Sequence, residues 1–152
     1  MQNWKIYLAG EIHSNWRDEL REAAAAAEVP VSFFEPVTDH PASDDCGAVI
    51  LGEESSAFWR DHKGAGLNAI RTRPLIASAD IVVVKFGEKY RQWNAAFDAG
   101  QAIALGKPLI VLHPREFDHA LKEIDAAASA VAENVGQVLE ILRYVTKGTL
   151  QR

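Results

Sequence analysis

Apolar residues along this chain fall into short unbroken runs separated by stretches with helical spacing. Residues 5–9 (KIYLA), 80–84 (DIVVV) and 109–112 (LIVL) lack the polar alternation of a half-solvated strand. That pattern predicts buried strands in a parallel sheet covered on both faces. Residues 29–34 (VPVSFF) form a further strand, with Pro30 near its start where a missing N–H is tolerated, as on an edge. Residues 128–132 are a weaker fifth strand. Trp16, Leu20, Ala23, Ala24 and Ala27 recur at helical spacing after Asn15, a candidate N-cap with Asp18 at the dipole-favoured N3 position. Later, Asn134 and Gln137 make a capping-box pattern ahead of the stripe Val138, Ile141, Leu142 and Val145, and Gly148 ends that helix.

The middle of the chain is less periodic. Residues 35–54 contain Pro36, Pro41, several aspartates, Gly47 and Gly52 around an apolar island at 48–51, and read as a functional or variable loop. Ser55 or Ser56 would cap a helix starting near Ala57, which Gly64 and Gly66 are expected to interrupt before a second helical segment at 67–77. Pro74 removes an N–H and disfavours helix in the residue before it, so that segment is expected to kink or restart there. Residues 79–112 then hold a strand, a polar loop, a helix with the apolar face Ala95, Ala99, Ala102, Ile103 and Leu105, and a strand entered through Gly106, Lys107 and Pro108. Residues 115–124 read as a short helix.

Alternating strands and helices predict a flavodoxin-like doubly wound three-layer α/β sandwich, with a parallel five-stranded sheet in the order 2-1-3-4-5. In such sheets ligands bind outside the carboxyl ends of the strands beside the topological switch, which selects the loops at 10–15, 35–45 and 85–94. With 152 residues, 48% of them hydrophobic, one domain spanning 1–152 is expected. A net charge of -5 leaves no broad basic surface for a nucleic-acid polymer, while small anionic metabolites stay open. The single cysteine, Cys46, has no internal disulfide partner, and the N-terminal residues lack a signal-peptide pattern. No apolar stretch approaches the roughly 20 residues of a membrane span. A cytoplasmic location without membrane partners is the expectation.

Chemistry concentrates in two of the selected loops and the helix after the third strand. In the first loop Gly10, Glu11, His13 and Ser14 precede a helix N-terminus, whose free N–H groups favour an anion, and Ser14 with Arg17 would complete a phosphate site. The alternative is that Ser14 or Asn15 caps the helix and Arg17 is solvated. Neither G-x-G-x-x-G nor the P-loop pattern is present, and Asp39, His40, Asp44, Asp45 and Cys46 match no zinc spacing, so neither a cofactor nor a metal is expected. Asp98 lies in a helix, where aspartate is a poor former, and is the leading carboxylate for catalysis. With Asn94 as N-cap, it would lie about one turn in and serve the dipole instead. Gly100 costs that helix about 1 kcal/mol relative to alanine, which suggests close approach of a backbone or ligand.

Three passages together resemble the nucleoside 2-deoxyribosyltransferase superfamily, in particular its small YtoQ-like branch. They are YLAGEIHSNWR at 7–17, ASADIVVVKFG at 77–87 and DAGQAIALGKPLIVL at 98–112. The family pattern before the fourth strand is Glu-x-Gly-x-Ala followed by Gly-Lys-Pro, and its glutamate is the nucleophile. Asp98, Gly100, Ala102, Gly106, Lys107 and Pro108 occupy the matching places. Two departures stand out: Asp98 is one methylene shorter than glutamate, and Gln92, Trp93, Asn94 and Ala95 replace an Asp-x-Gly-Thr lead-in.

The resemblance implies an N-glycosidic enzyme that transfers or hydrolyses the deoxyribosyl group of a nucleoside or nucleoside 5′-monophosphate. Asp98 would attack the anomeric carbon to give a covalent glycosyl-enzyme, Tyr7 would orient the carboxylate, and Glu11 would protonate the leaving base. Ser14 and Arg17, with helix N–H groups, would hold a phosphate. Trp16, Phe86, Tyr90 or Trp93 would stack on the base, with Gly10, His13 and Asn94 completing the substrate-binding set. A homo-oligomer whose neighbouring subunits complete the site is also implied. The alternatives on the same fold are a non-catalytic nucleotide- or metabolite-sensing domain and an oligomeric interaction module without a ligand.

Overall fold

Five strands pair in parallel in the order β2-β1-β3-β4-β5: β1 (Trp4–Gly10), β2 (Val31–Phe34), β3 (Ile81–Lys85), β4 (Leu109–Leu112) and β5 (Ala130–Ala132). The structure, a computed structural model, describes residues 2–152. The helices are α1 (Trp16–Ala26), α2 (His40–Leu51), α3 (Ala57–Ser78), α4 (Trp93–Ala104), α5 (Lys122–Ala127) and α6 (Val135–Lys147). The flavodoxin-like order expected from the chain is the one observed.

Because successive side chains of a strand point to opposite faces, β1 divides the core in two. Ile6 and Leu8 pack with Ile81, Val83, Ile110 and Leu112 beneath α1 and α6, where Trp16, Leu20, Ala24, Val138 and Leu142 close the layer. Tyr7 and Ala9 face the other way, with Val82, Val84, Leu109 and Val111, beneath Ile76 of α3 and Ala95, Ala99 and Ala102 of α4. Each fully buried Ile, Leu or Val contributes about 1.5–3 kcal/mol. The central strands therefore fix the frame on which the loops stand.

The region from 35 to 78 departs from the sequence expectation. Residues 40–51 are helical, with Asp39 at the N-cap position and Pro41 in the first turn, where its missing N–H costs nothing. The helix after it is not interrupted at Gly64 and Gly66; α3 is one element of 22 residues, capped by Ser56, which accepts from the Trp59 N–H, and it continues through Pro74. Gly64 and Gly47 serve packing instead. A Cβ on Gly47 would stand 2.5 Å from the Gly64 nitrogen, so these glycines let the two helix backbones approach.

Smaller corrections follow the same logic. Residues 115–124 form a 3-10 turn at Arg115–Phe117 and the start of α5 rather than one helix. Gln92, not Asn94, holds the N-cap position of α4, and Ile103 and Leu105 are exposed. A Cβ on Gly100 would meet no protein atom within 4 Å, so approach of another backbone does not explain that glycine. Asn15 occupies the N-cap position of α1 without a side-chain capping bond. Asn134 does cap α6, accepting from the Gln137 N–H, while the Gln137 side chain accepts from the Glu133 N–H. In that helix Val138 and Leu142 are buried, but Val145 is exposed.

Candidate functional site

β1 ends in a turn that only glycine tolerates. Gly10 has φ +101°, and a Cβ there would lie 2.1 Å from the Lys85 carbonyl oxygen of the neighbouring strand. The chain stays bound to β3 one residue further, where the Glu11 N–H donates to the same carbonyl at 3.0 Å. The loop from 11 to 15 is thereby held over the switch between β1 and β3.

Arg17 fixes this loop from below. Its guanidinium donates to the carbonyls of Leu8 (3.3 and 3.2 Å), Gly10 (3.3 Å) and Glu11 (2.7 Å), and stands 3.6 Å from the Glu35 carboxylate. Only 5% exposed, with its donors turned to main-chain oxygens, it does not fit either reading made from sequence, a phosphate ligand or a solvated side chain. Burial lowers its proton affinity, which Glu35 partly restores. Trp16 is likewise committed: it is buried, and its indole N–H donates to the Glu11 carbonyl at 2.8 Å, so its ring packs rather than stacks on a base.

Glu11 is 4% exposed, and its carboxylate accepts from the His13 N–H and the Ser14 hydroxyl. Both of its oxygens are engaged by donors of its own loop, so the side chain is held inward by the protein. Ser14 makes its contact inward, to Glu11, and no side-chain cap is made at the start of α1.

The loops after the first three strands do meet. The His13 ring lies 4.9 Å from that of Tyr90 in the β3–α4 loop and 5.7 Å from that of His40 at the start of α2. Beside them, at the carboxyl end of the sheet, is a cleft of about 470 Å³ lined by Glu11, His13, Ser14, Lys85, Phe86, His113 and Asn134 among others. Phe86 reaches it with little surface, since its side chain is 5% exposed and belongs to the core under α4. Trp93 and Asn94 are exposed in the first turn of α4.

Tyr7 and α4, which carries Asp98, lie on the α3–α4 side of the sheet, and neither Tyr7 nor Asp98 lines that cleft. Asp98 is half-buried about a turn and a half into α4. Loss of hydration raises its pKa to about 6, against the opposing pull of Arg17. Tyr7 is fully buried and its hydroxyl has no hydrogen-bond partner. Burial first, and the charge of Asp98 second, push that hydroxyl above its ordinary range, so it stays protonated as a donor. The Tyr7 hydroxyl is therefore a buried donor without a protein acceptor that feels the charge of Asp98. Arg17 connects the two neighbourhoods, holding the loop carbonyls while its charge reaches Tyr7 and Asp98.

His113, a secondary candidate in the sequence, is buried at the end of β4. Its Nδ1 lies 2.7 Å from the Pro114 carbonyl and its Nε2 2.9 and 3.0 Å from the Asp125 oxygens. With Asp118 these side chains bring ligand-type atoms within 4.8 Å of one another, but both ring nitrogens already face protein acceptors. The group is a tie between β4 and α5. No helix among the described residues is long and apolar enough to cross a membrane.

A family model described as nucleoside 2-deoxyribosyltransferase YtoQ matches residues 7–146. The uncharacterized protein YtoQ of Bacillus subtilis (strain 168) is 44% identical over 140 residues, which cover 92% of this chain and 95% of that one. Among solved structures, a conserved protein from Enterococcus faecalis V583 superposes with a TM-score of 0.63 at 16% identity, over 95% of this chain and 99% of that one, which is a likeness of fold. A 2-deoxyribosyltransferase from Bacillus psychrosaccharolyticus gives a TM-score of 0.49 at 19% identity, over 89% and 90% of the two chains.

Proposed function

The chain belongs to the nucleoside 2-deoxyribosyltransferase YtoQ family, and on that premise we propose that it cleaves the N-glycosidic bond of a deoxynucleoside with Asp98 as nucleophile. The observations that carry this reading are a carboxylate, Asp98, raised to about 6 by desolvation, and a buried hydroxyl, Tyr7, that feels its charge and has no protein partner. At neutral pH Asp98 is mostly ionised yet weakly hydrated, the state a carboxylate nucleophile needs. Its oxygen attacks the anomeric carbon as the bond to the base nitrogen breaks, the departing base takes a proton from solvent, and the product is a glycosyl ester on Asp98. A second base, or water in the hydrolytic version, attacks the same carbon and restores the carboxylate. Tyr7 donates its hydroxyl hydrogen to the carboxylate or to the sugar. Trp93, in the first turn of α4, and Tyr90, in the loop before it, are exposed aromatic faces open to a base.

Incubation with 2′-deoxynucleosides and their 5′-monophosphates, with and without an acceptor base, and chromatography of the free bases test the proposal. Base release abolished in Asp98→Asn supports it. No release by the wild type, or equal release by the variant, overturns it, and ligand-dependent thermal stabilisation without turnover would support the sensing alternative instead.

The proposal extends to a homo-oligomer. Ile70, Trp93 and Phe97 leave apolar surface exposed on α3 and α4, close to Asp98 in sequence on α4, where a neighbouring copy would cover it. Sedimentation velocity of wild type and Phe97→Glu reads this directly; a monomeric wild type overturns it.

A further inference from the structure

The β3–α4 loop, residues 86–92, runs past the carboxyl end of the sheet with little to hold its main chain. The Phe86 N–H still bonds to Leu112 at 2.9 Å, and main-chain bonding resumes only where Ala96 donates to the Gln92 carbonyl in the first turn of α4. Among the described residues, the main chain of 87–91 bonds to no other main chain. Side chains do the holding instead. The Tyr90 ring rests against His13 of the β1–α1 loop, 4.9 Å between centroids, and the Lys89 ammonium lies 5.5 Å from the centre of the same ring. Tyr90 makes this contact with φ +142°, a conformation that belongs to glycine and that a bulky residue keeps only when its surroundings hold it there.

The ends of the loop are better fixed than its middle. Gly87 passes so close to the β1–α1 loop that a Cβ there would stand 2.3 Å from the Glu11 Cγ. At the other end the Gln92 side chain donates to the Tyr90 carbonyl at 3.1 Å, and Gln92 holds the N-cap position of α4. Gly87, Glu88 and Lys89 line the cleft together with His13 and Ser14, so the position of this loop sets how open the cleft is.

We propose that residues 87–92 are a flap over the cleft at the carboxyl end of the sheet, latched by the Tyr90 ring on His13 and urged open by the strained Tyr90 backbone. A ring contact between exposed side chains and one residue held in a glycine conformation are of the same order of energy, so the open and closed forms lie close together. The chain hinges at Gly87 and Gln92, which leaves α4 and Asp98 in place. The flap carries Glu88 and Lys89, and its closing brings a charge of each sign down on a small molecule in the cleft. This device goes beyond the glycosidic reading and does not depend on it.

The loop supplies its own probe, because trypsin cuts after Lys89 and Arg91 and reaches them in the open form. Initial cleavage rates at these two bonds, mapped by mass spectrometry on the full-length protein, are each divided by the rate for a free peptide of residues 85–95 with the same sequence. His13 and Tyr90 are exposed, so the fold should tolerate the substitutions. His13→Ala and Tyr90→Ala should each speed cleavage by about threefold to tenfold, and the double variant no further, since both remove one contact. His13→Phe and Tyr90→Phe should stay within about twofold of the wild type. Tyr90→Gly should be cut more slowly than Tyr90→Ala, because glycine takes φ +142° without strain. A wild type cut as fast as the free peptide, no change in His13→Ala, or additive effects in the double variant overturn the latch; Tyr90→Gly cut as fast as Tyr90→Ala overturns the strain. Relaxation-dispersion NMR of the wild type should place exchange in residues 87–92 and around the cleft, and exchange spreading through α4 to Asp98 overturns the hinge at Gln92.

Discussion

Two carboxylates packed near β1, Glu11 and Asp98, receive opposite treatment. Glu11 is the more buried, yet two donors meet it, and its surroundings tie it to the loop. Asp98 keeps more contact with water but loses enough hydration for its pKa to rise to about 6, and the nearby Tyr7 hydroxyl goes without a partner. Burial alone therefore does not set the two apart. What separates the two is whether the protein itself supplies the hydrogen bonds that water gave up.

The comparison predicts effects of different kinds and sizes. Asp98→Asn should lower the rate of base release by roughly a thousandfold or more, about 4 kcal/mol of barrier, measured by single-turnover kinetics. In the wild type, kcat/KM should fall with decreasing pH through an ionisation near 6, as Asp98 takes up its proton. Arg17→Leu should destabilise the protein by about 3 kcal/mol in urea unfolding, because it leaves the Leu8, Gly10 and Glu11 carbonyls and Glu35 without their buried donor.

Asp98→Asn should act on stability with the reverse sign. Folded Asp98 holds its proton more tightly than the unfolded chain does, so ionising it costs stability as pH rises from about 4 through about 6. The variant should thus gain about 1–2 kcal/mol above pH 7 and nothing below pH 4, read from urea midpoints at the two pH values. Ser14→Ala, which removes one of the two donors to Glu11, should cost about 1 kcal/mol. An equal loss of base release in Asp98→Asn and Ser14→Ala would erase the distinction between the two carboxylates.

The same contrast explains what could be read from the chain. Strands β1, β3 and β4 are continuous apolar runs because both faces are buried, so their positions and the sheet order follow from pattern alone. Helix α2 has no such stripe: Gly47 and Ala48 are its buried residues, and it meets α3 through close backbone approach at Gly47 and Gly64 and through side-chain bonds such as Arg60 to Asp45 and Asn68 to Ser43. Glycine there carries a packing role that sequence rules read as a break. The position of Asp98 was legible from the spacing to Gly106, Lys107 and Pro108, but its environment was not, since desolvation depends on what α3 and β1 bring alongside. For Arg17 and Glu11 the partners were not legible, because residue type shows that a group can bind an anion or hold a proton, not that the protein has already engaged it.

The two outer strands are β2, four residues, and β5, three residues, with Pro30 just ahead of the first. Their outer rims offer few free main-chain groups to an incoming strand. At high concentration this sheet is a poor template for the edge-to-edge growth that seeds fibrils, so loss of solubility should track unfolding of the whole chain rather than extension of the native sheet.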